Sequence, residues 1–253
     1  MKPEAFTHDD YRDILRSGIA AGYRFAAFTE LRQGGPASKR CFMRHDCDND
    51  LVAAARMAEI EAEERISATH FLMLQSALYN LLAPENLRLA RRIIACGQKI
   101  GLHFDASQGA QREGSDLREE VERQRAILGA ELNVSVDVVS FHQPDQSILG
   151  GEVNTVCINT YDAQDMAGVY YTSDSNLVFR GGDPRQLFSH GKHPDIQVLV
   201  HPEWWTSRPM PLMDKWAAML GNNIELMQRS LLAREKTYTE KHAVTIRLPM
   251  NDA

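Results

Sequence analysis

The sequence contains few cysteines and no paired cysteine motif. Its four cysteines form no Cys-x-x-Cys pair, which argues against a zinc knuckle or a thioredoxin-type redox motif. They fit reduced, mostly buried thiols in a reducing compartment. The four residues are Cys41, Cys47, Cys96 and Cys157.

Long apolar runs are also missing. No segment is long and apolar enough to span a bilayer, and residues 1–15 contain no apolar run typical of a signal peptide. We therefore expect no membrane span and a cytoplasmic location. Positive charge is outnumbered as well, with 28 Lys and Arg against 34 Asp and Glu. Because nucleic-acid-binding faces are normally basic, we expect no nucleic-acid partner.

No Pro-, Ser- or Gly-rich linker divides the 253 residues, so we predict a single domain over residues 1–253. Hydrophobic patterns predict strands that alternate with helices. The predicted strands cover residues 41–45, 68–74, 99–103, 136–142, 155–158, 168–172, 197–201 and 244–248. The predicted helices cover residues 7–20, 51–64, 86–96, 116–128, 183–188 and 213–236, the last with a possible break at Gly221.

This alternation predicts an α/β fold with mostly parallel strands. Seven or so strands in one domain favour a closed or nearly closed (β/α) barrel. An open doubly wound sheet is the alternative. The absence of a Gly-x-Gly-x-x-Gly or P-loop sequence after the first strand weakens that alternative.

Polar residues that can bind a metal follow four of the predicted strands. Because the carboxyl ends of parallel strands meet on one face of a barrel, we expect these residues to share one pocket. A lone histidine after a strand is more often satisfied by a carbonyl group, but four such strand ends favour a shared metal or catalytic site. The four runs are Arg44–Asp48, His103–Asp105, His142–Pro144 and His201–Trp205.

Asp46 and Asp48 lie two residues apart, so in an extended strand they project to the same side. Two facing carboxylates repel unless a cation lies between them or one is protonated. Asp48, His103 and a further histidine form a common ligand set for zinc or a similar divalent ion, which would leave Asp46 free as a base. The alternative is that Asp48 or Asp50 caps the following helix, and we expect Asp50 to be the cap.

Six short segments together resemble the polysaccharide deacetylase (NodB-homology) family, in the branch with an RHDxD first motif found in bacterial surface polysaccharide biosynthesis. The resemblance covers residues 41–205, and it depends on the order of the set, since no single motif decides it. The segments are Arg44-His45-Asp46-Cys47-Asp48, Ala68-Thr69-His70-Phe71, Gly101-Leu102-His103-Phe104-Asp105, Ser140-Phe141-His142-Gln143-Pro144, Tyr171-Thr172-Ser173-Asp174-Ser175 and Leu199-Val200-His201-Pro202.

The resemblance implies a deformed (β/α)7 barrel, one divalent metal ion with Zn²⁺ as the first expectation, and deacylation of an N-acylated amino sugar. In the family's pattern Asp46 matches the catalytic base and Asp48 the metal aspartate, although the usual motif has the two acids adjacent. His103 matches the first histidine of an HxxxH metal motif, and His201 matches the general acid.

Two departures from the family's pattern affect the site. Ser107 stands where the second histidine of HxxxH is usual, so we expect His142 to complete the metal site; a weak site or none are the alternatives. His142 itself stands where the family has the arginine of an Arg-x-Pro motif. Asp145 replaces the tyrosine that commonly follows, and we expect a backbone N–H near it to bind the oxyanion.

The remaining candidates have supporting roles. We expect Arg44 and Trp205 to bind substrate, with at most one of Trp204 and Trp205 lining the pocket. Asp105 and Asp174 are expected to orient His103 or His142. His45 and His70 are expected to be structural.

The expected function is metal-dependent deacetylation or deformylation of an amino sugar. Since a cytoplasmic enzyme does not easily meet finished polymer, we expect a nucleotide- or lipid-linked precursor of a surface polysaccharide as substrate. Two alternatives stay open. One is a catalytically inactive, carbohydrate-binding relative, because fold does not determine function. The other is a metal-dependent hydrolase of another bond, such as a phosphoester.

Overall fold

The computed structural model describes residues 6–33, 39–109, 116–149 and 155–244. Within this part of the chain, no helix is long and apolar enough to cross a membrane. The strand predicted at residues 244–248 falls, apart from its first residue, outside the described residues.

The described residues form one parallel sheet of eight strands. The strands are β1 (Arg24–Phe25), β2 (Arg40–Cys47), β3 (Thr69–Leu72), β4 (Lys99–Asp105), β5 (Val138–His142), β6 (Ile158–Asn159), β7 (Val169–Ser173) and β8 (Asp195–Val200). Their order is β6-β5-β4-β3-β2-β8-β7, with β1 added beside β2. The sheet curls with helices around it, which confirms the predicted deformed (β/α)7 barrel. Among the described residues no pairing joins β6 to β7, so the barrel is open between them.

Eight α-helices accompany these strands in the described residues. They are α1 (His8–Ala20), α2 (Leu51–Glu63), α3 (Pro84–Ala95), α4 (Ala106–Gly109), α5 (Leu117–Leu132), α6 (Gln146–Leu149), α7 (Pro184–His190) and α8 (Leu212–Arg234). Asp50 accepts hydrogen bonds from the backbone N–H groups of Val52 and Ala53, so it caps α2 as predicted. Asp48 is therefore not needed as a cap.

Strand β2 lies between β3 and β8, and its residues from Cys41 to Cys47 are buried. Because side chains alternate along a strand, Phe42, Arg44 and Asp46 face the barrel interior. Phe42 packs there with Phe28 and Phe71. The other face of the strand packs under the helices. The same strand thus carries the polar residues of the barrel mouth and part of the outer core.

Several predicted boundaries differ from the structure. Helix α5 continues past Gly129 and ends at Leu132, because Asn133 adopts the left-handed conformation (φ 54°) that terminates a helix. Helix α8 runs through Gly221 without a break, since an isolated glycine weakens a helix but does not end it. In place of the strand predicted at residues 155–158, the structure has the two-residue strand Ile158–Asn159, which pairs with β5. Strand β1 was not predicted, because two residues are too few for a periodic pattern.

Two glycines offer a matched test of packing. A Cβ added at Gly101 in β4 would lie 2.5 Å from Cδ1 of Phe71 on the neighbouring strand, whereas one added at Gly221 meets no atom within 4 Å. We expect Gly101→Ala to lower the free energy of unfolding by about 1–3 kcal/mol through overpacking. We expect Gly221→Ala to raise it by about 0.5–1 kcal/mol through the helix preference of alanine. Denaturant unfolding measures both, and equal values for the two variants would contradict this packing.

Candidate metal and catalytic site

A polar cleft of about 580 Å³ opens at the carboxyl ends of the strands. It brings together five residues predicted from the sequence. Three of them lie in strands β2, β4 and β5, and the other two directly follow β2 and β8. The five residues are Asp46, Asp48, His103, His142 and His201. Residues separated by more than 150 positions in the chain thus share one cavity, as the parallel strand order requires.

Asp48, His103 and His142 form a cluster with the geometry of a metal site. Oδ1 of Asp48 lies 2.9 Å from Nε2 of His103 and 3.4 Å from Nδ1 of His142. The two imidazole rings stand nearly perpendicular, at 85°, with centroids 5.3 Å apart. Oδ1 of Asp48 is buried and forms no hydrogen bond of acceptable geometry with the described residues. One oxygen and two nitrogens therefore lie within 4.8 Å of one another, which fits a shared divalent ion such as Zn²⁺.

The charges around Asp48 keep it ionised. Burial alone would raise the pKa of Asp48, but the charge of His103, with contributions from His142 and His201, holds it well below its usual range. Nδ1 of His103 lies 3.1 Å from Oγ of Ser140, which leaves Nε2 for a shared ion. Ser140 was missed as a site residue. Its position two residues before His142 on the same strand is the signal that places both on one face.

Ser107 does not belong to this cluster. Its hydroxyl donates to Oδ1 of Asp105 at 2.6 Å, and its backbone N–H donates to the same oxygen at 2.9 Å. The structure therefore places His142, and not Ser107, beside Asp48 and His103. It also corrects the role expected for Asp105, since this oxygen closes the turn into α4 and does not accept a bond from His103 or His142.

Asp46 is held by Arg44 in a buried, two-pronged ion pair. Nε and Nη2 of Arg44 donate to the two carboxylate oxygens at 2.8 and 2.7 Å. Burial alone would raise the pKa of Asp46, but the charges of Arg44 and His103 outweigh it and lower that pKa. Asp46 still lines the cleft. It is an ionised carboxylate with a fixed orientation.

The substrate-binding role expected for Arg44 is corrected by its burial. The side chain is 0 % exposed. Beyond Asp46 its guanidinium donates to the hydroxyl groups of Ser140, Thr160 and Tyr161. Thr160 and Tyr161 were not predicted as site residues. They follow directly after β6, so a better boundary for that short strand is the signal that would have found them.

His201 is held by Asp174. Nδ1 and the backbone N–H of His201 donate to this buried carboxylate, with the ring nitrogen 2.6 Å from Oδ1. Burial lowers the pKa of His201, but the charge and hydrogen bond of Asp174 outweigh it and raise the pKa to about 10. Asp174 thus orients a histidine, as expected, but the histidine is His201 and not His103 or His142.

The two adjacent tryptophans face different surroundings. Trp205 is 2 % exposed, and its indole N–H donates to Oδ2 of Asp174 at 2.9 Å. The substrate-binding role expected for Trp205 is therefore corrected: this residue supports Asp174 from the core. Trp204 lines the cleft and packs edge-on against Trp216, with ring centroids 4.9 Å apart.

Asp145 lies at the rim, where its carboxylate accepts a hydrogen bond from the backbone N–H of Ile148 at 3.2 Å in the turn of α6. The cleft wall before it consists of Gln143 and Pro144, and Gln143 has a φ of 43°. With its backbone in the left-handed region, Gln143 turns the chain at the end of β5. The backbone N–H near Asp145 stays our prediction for the oxyanion donor.

A second cluster of metal-capable residues is built differently. His45, Glu61 and His70 are fully buried between β2, β3 and α2, outside the cleft. The two imidazole rings stack in parallel, with centroids 4.2 Å apart and an interplanar angle of 7°. Each ring contacts a different oxygen of Glu61, and the hydroxyl of Tyr11 donates to this carboxylate at 2.6 Å.

The three groups of this second cluster shift one another's titration. Burial would raise the pKa of Glu61, but His45 and His70 outweigh it and lower that pKa, while burial lowers the pKa of His70 to about 4. The arrangement is a buried hydrogen-bond network that ties β2 and β3 to α1 and α2. It agrees with the structural roles expected for His45 and His70.

Comparison with known proteins gives matches only among solved structures. No family model and no curated protein sequence matches the chain. The Streptococcus pyogenes deacetylase PplD in complex with acetate is 15% identical, over 77% of this chain and 81% of that one, with a TM-score of 0.45. A family 4 carbohydrate esterase from Bacillus anthracis is 13% identical, over 87% and 86%, with a TM-score of 0.43.

A CE4 family pseudoenzyme from Bacillus anthracis is 19% identical, with a TM-score of 0.39. The match covers 78% of this chain but only 63% of the pseudoenzyme, so the chain spans less than two thirds of that protein's length. These values describe backbone similarity alone. The assignment of roles therefore depends on the geometry of the cleft.

The metal cluster is tested by removing one ligand at a time. We expect His103→Ala and His142→Ala to lose most of the bound divalent metal, because each removes one of three clustered donors. Ser107→Ala is the matched control and should retain wild-type metal content. Elemental analysis of the purified variants measures this. Loss of metal in Ser107→Ala, or full content in His142→Ala, would show that the third ligand is wrongly assigned.

Proposed function

We propose that this chain is a metal-dependent hydrolase that removes an acetyl or formyl group from the nitrogen of an amino sugar. The observation that carries the proposal is the arrangement of the cleft. A cluster of three metal-capable residues is flanked by an ionised carboxylate held by Arg44 and by an imidazole held by Asp174. Hydrolysis of an amide needs these three components: activation of water, stabilisation of the oxyanion and protonation of the leaving amine.

Asp48, His103 and His142 would hold the ion. A bound divalent ion supplies Lewis-acid chemistry, which polarises a carbonyl oxygen and lowers the pKa of water. Asp46 accepts the proton of the attacking water as the water oxygen bonds to the acyl carbon. Its pairing with Arg44 keeps this carboxylate ionised and aimed into the cleft.

His201 protonates the departing nitrogen. With its pKa raised to about 10, the imidazole carries a proton at neutral pH. Because Nδ1 is bound to Asp174, Nε2 is the nitrogen that delivers this proton. The C–N bond then breaks, and the products are a carboxylic acid and the free amine. The backbone N–H near Asp145 is the proposed donor to the oxyanion.

For the substrate, we propose an amino sugar or its nucleotide- or lipid-linked precursor in surface polysaccharide biosynthesis. Arg180 is an exposed cation on the cleft wall and would face a phosphate of such a precursor. Hydrolysis of a phosphoester is less well supported, because the guanidinium of Arg44 is buried and already bonded to Asp46, Ser140, Thr160 and Tyr161.

The proposed function is tested by assaying release of acetate or formate from N-acetylated and N-formylated amino sugars, both free and nucleotide-linked. We expect the metal-loaded protein to release acid and free amine from at least one of them. We expect Asp46→Asn to abolish turnover with metal content unchanged, because the base is lost while the ligands remain. Asp137→Asn, the same change on the exposed residue that precedes β5, should retain wild-type activity. No release from any of these sugars, or full activity in Asp46→Asn, would contradict the proposal.

The pairing of His201 with Asp174 predicts a pH effect. The raised pKa of His201 means that the acid is loaded below that pKa and is lost as pH rises through it. Asp174→Asn removes the negative charge that raises this pKa. We therefore expect the alkaline limb of the kcat/KM profile to move to lower pH by about one to three units. The Asp137→Asn profile should match the wild type, and an unshifted profile in Asp174→Asn would argue against His201 as the acid.

A further inference from the structure

Glu203 is a buried acid on the cleft wall that the proposed reaction does not use. It lies in the 3-10 turn Pro202–Trp204 that follows β8, and it is 4 % exposed. It nevertheless lines the same cleft as Asp46 and Asp48. A carboxyl group in this position needs a partner for each of its oxygens, because burying an unpaired polar atom is costly.

Only one oxygen of Glu203 has such a partner. Oε1 accepts a hydrogen bond from Nδ2 of Asn49 at 2.6 Å. Oε2 is buried and has no hydrogen-bond partner among the described residues. The backbone of Asn49 is anchored, since its backbone carbonyl oxygen accepts from Nδ2 of Asn223 on α8 at 2.8 Å. One oxygen is therefore held in place, and the other has no partner among the described residues, in a side chain that lines the cleft.

The protonation state of Glu203 agrees with this geometry. Burial, together with the negative charge of Asp48, raises the pKa of Glu203 to about 8. The carboxyl group is therefore mostly neutral at pH 7. Because Oε1 accepts from Asn49, the proton belongs on Oε2. The unpartnered oxygen is thus a hydrogen-bond donor.

Trp204 adds an apolar surface beside this donor. Its indole lines the cleft and is fixed by edge-to-face packing on Trp216. A sugar ring has hydroxyl oxygens at its rim and C–H groups on its faces. An aromatic ring next to a neutral donor matches both, since an aromatic side chain provides a large apolar contact area and the donor reaches a rim oxygen.

We propose that Glu203 and Trp204 form a sugar-binding subsite, in which Oε2 of Glu203 donates a hydrogen bond to a hydroxyl oxygen of the substrate while the Trp204 indole packs on the ring. This inference rests on the proposed function, because it places a carbohydrate in the cleft. It adds two residues that recognise the sugar and take no part in bond breaking.

The test measures binding of N-acetylated and N-formylated amino sugars by calorimetry, using metal-loaded protein that carries Asp46→Asn so that the sugars stay intact. In this background we expect Glu203→Met to weaken binding about tenfold, which is the effect of losing one hydrogen bond worth about 1.4 kcal/mol. Glu203→Gln is the matched control and should bind within about twofold, because its amide still accepts from Asn49 and donates from the other atom.

Monodeoxy analogues of the sugar that binds identify the accepting hydroxyl. One analogue should bind about tenfold more weakly than the parent sugar to the background protein. The same analogue should bind with equal affinity to the background protein and to the background protein that also carries Glu203→Met. The comparison of the analogues on the background protein alone does not depend on whether Glu203→Met folds. If every analogue bound as tightly as the parent sugar, the inference would be overturned.

The other outcomes separate the two proposals. Equal affinity in the background protein and Glu203→Met, with turnover in the wild type, would overturn the subsite and leave the proposed function intact. Binding to Glu203→Gln as weak as to Glu203→Met would overturn the donor role. If the background protein bound none of the sugars and the wild type released no acid from them, both proposals would fall.

Discussion

Charge compensation inside a buried strand governs this cleft. Asp46 in β2 and Asp48, which directly follows β2, line the same cavity, and neither can stay ionised in such surroundings without a cation close by. The protein meets this constraint twice, by different means. Arg44 neutralises Asp46 through two hydrogen bonds, while Asp48 faces His103 and His142. In the proposed function, one of these carboxylates accepts a proton and the other binds the metal ion.

The described residues contain two clusters that each combine two histidines with one carboxylate. His103 and His142 come from neighbouring strands and meet Asp48 with perpendicular rings. His45 and His70 also come from neighbouring strands, but their rings stack and share one carboxylate. Residue type does not distinguish the two clusters. Their surroundings do, because Asp48, His103 and His142 line the cleft, whereas His45, Glu61 and His70 are fully buried in a hydrogen-bond network.

The barrel and the membership of the cleft could be predicted from the sequence, because both follow from strand periodicity and from the meeting of parallel strands at one edge. The partners within the cleft could not. Asp174 bonds to His201, Trp205 points into the core while Trp204 lines the cavity, and Asp105 turns back to Ser107. These contacts depend on side-chain directions after the strands end, where periodicity no longer applies. The role of Arg44 was missed for a related reason, since its partners Thr160 and Tyr161 follow a strand of two residues.

The alternation along β2 has a consequence for how this chain can diverge. His45 and Asp46 are neighbours that belong to opposite faces, one under the helices and one in the cleft. Insertion or deletion of one residue within the strand would exchange the two sets and place a carboxylate under α2 and an imidazole in the cleft. Substitutions alter one function at a time, but a change in length here would disrupt the core and the chemistry together. The spacing from Arg44 to Asp48 is therefore constrained more strictly than the identity of the residue between Asp46 and Asp48.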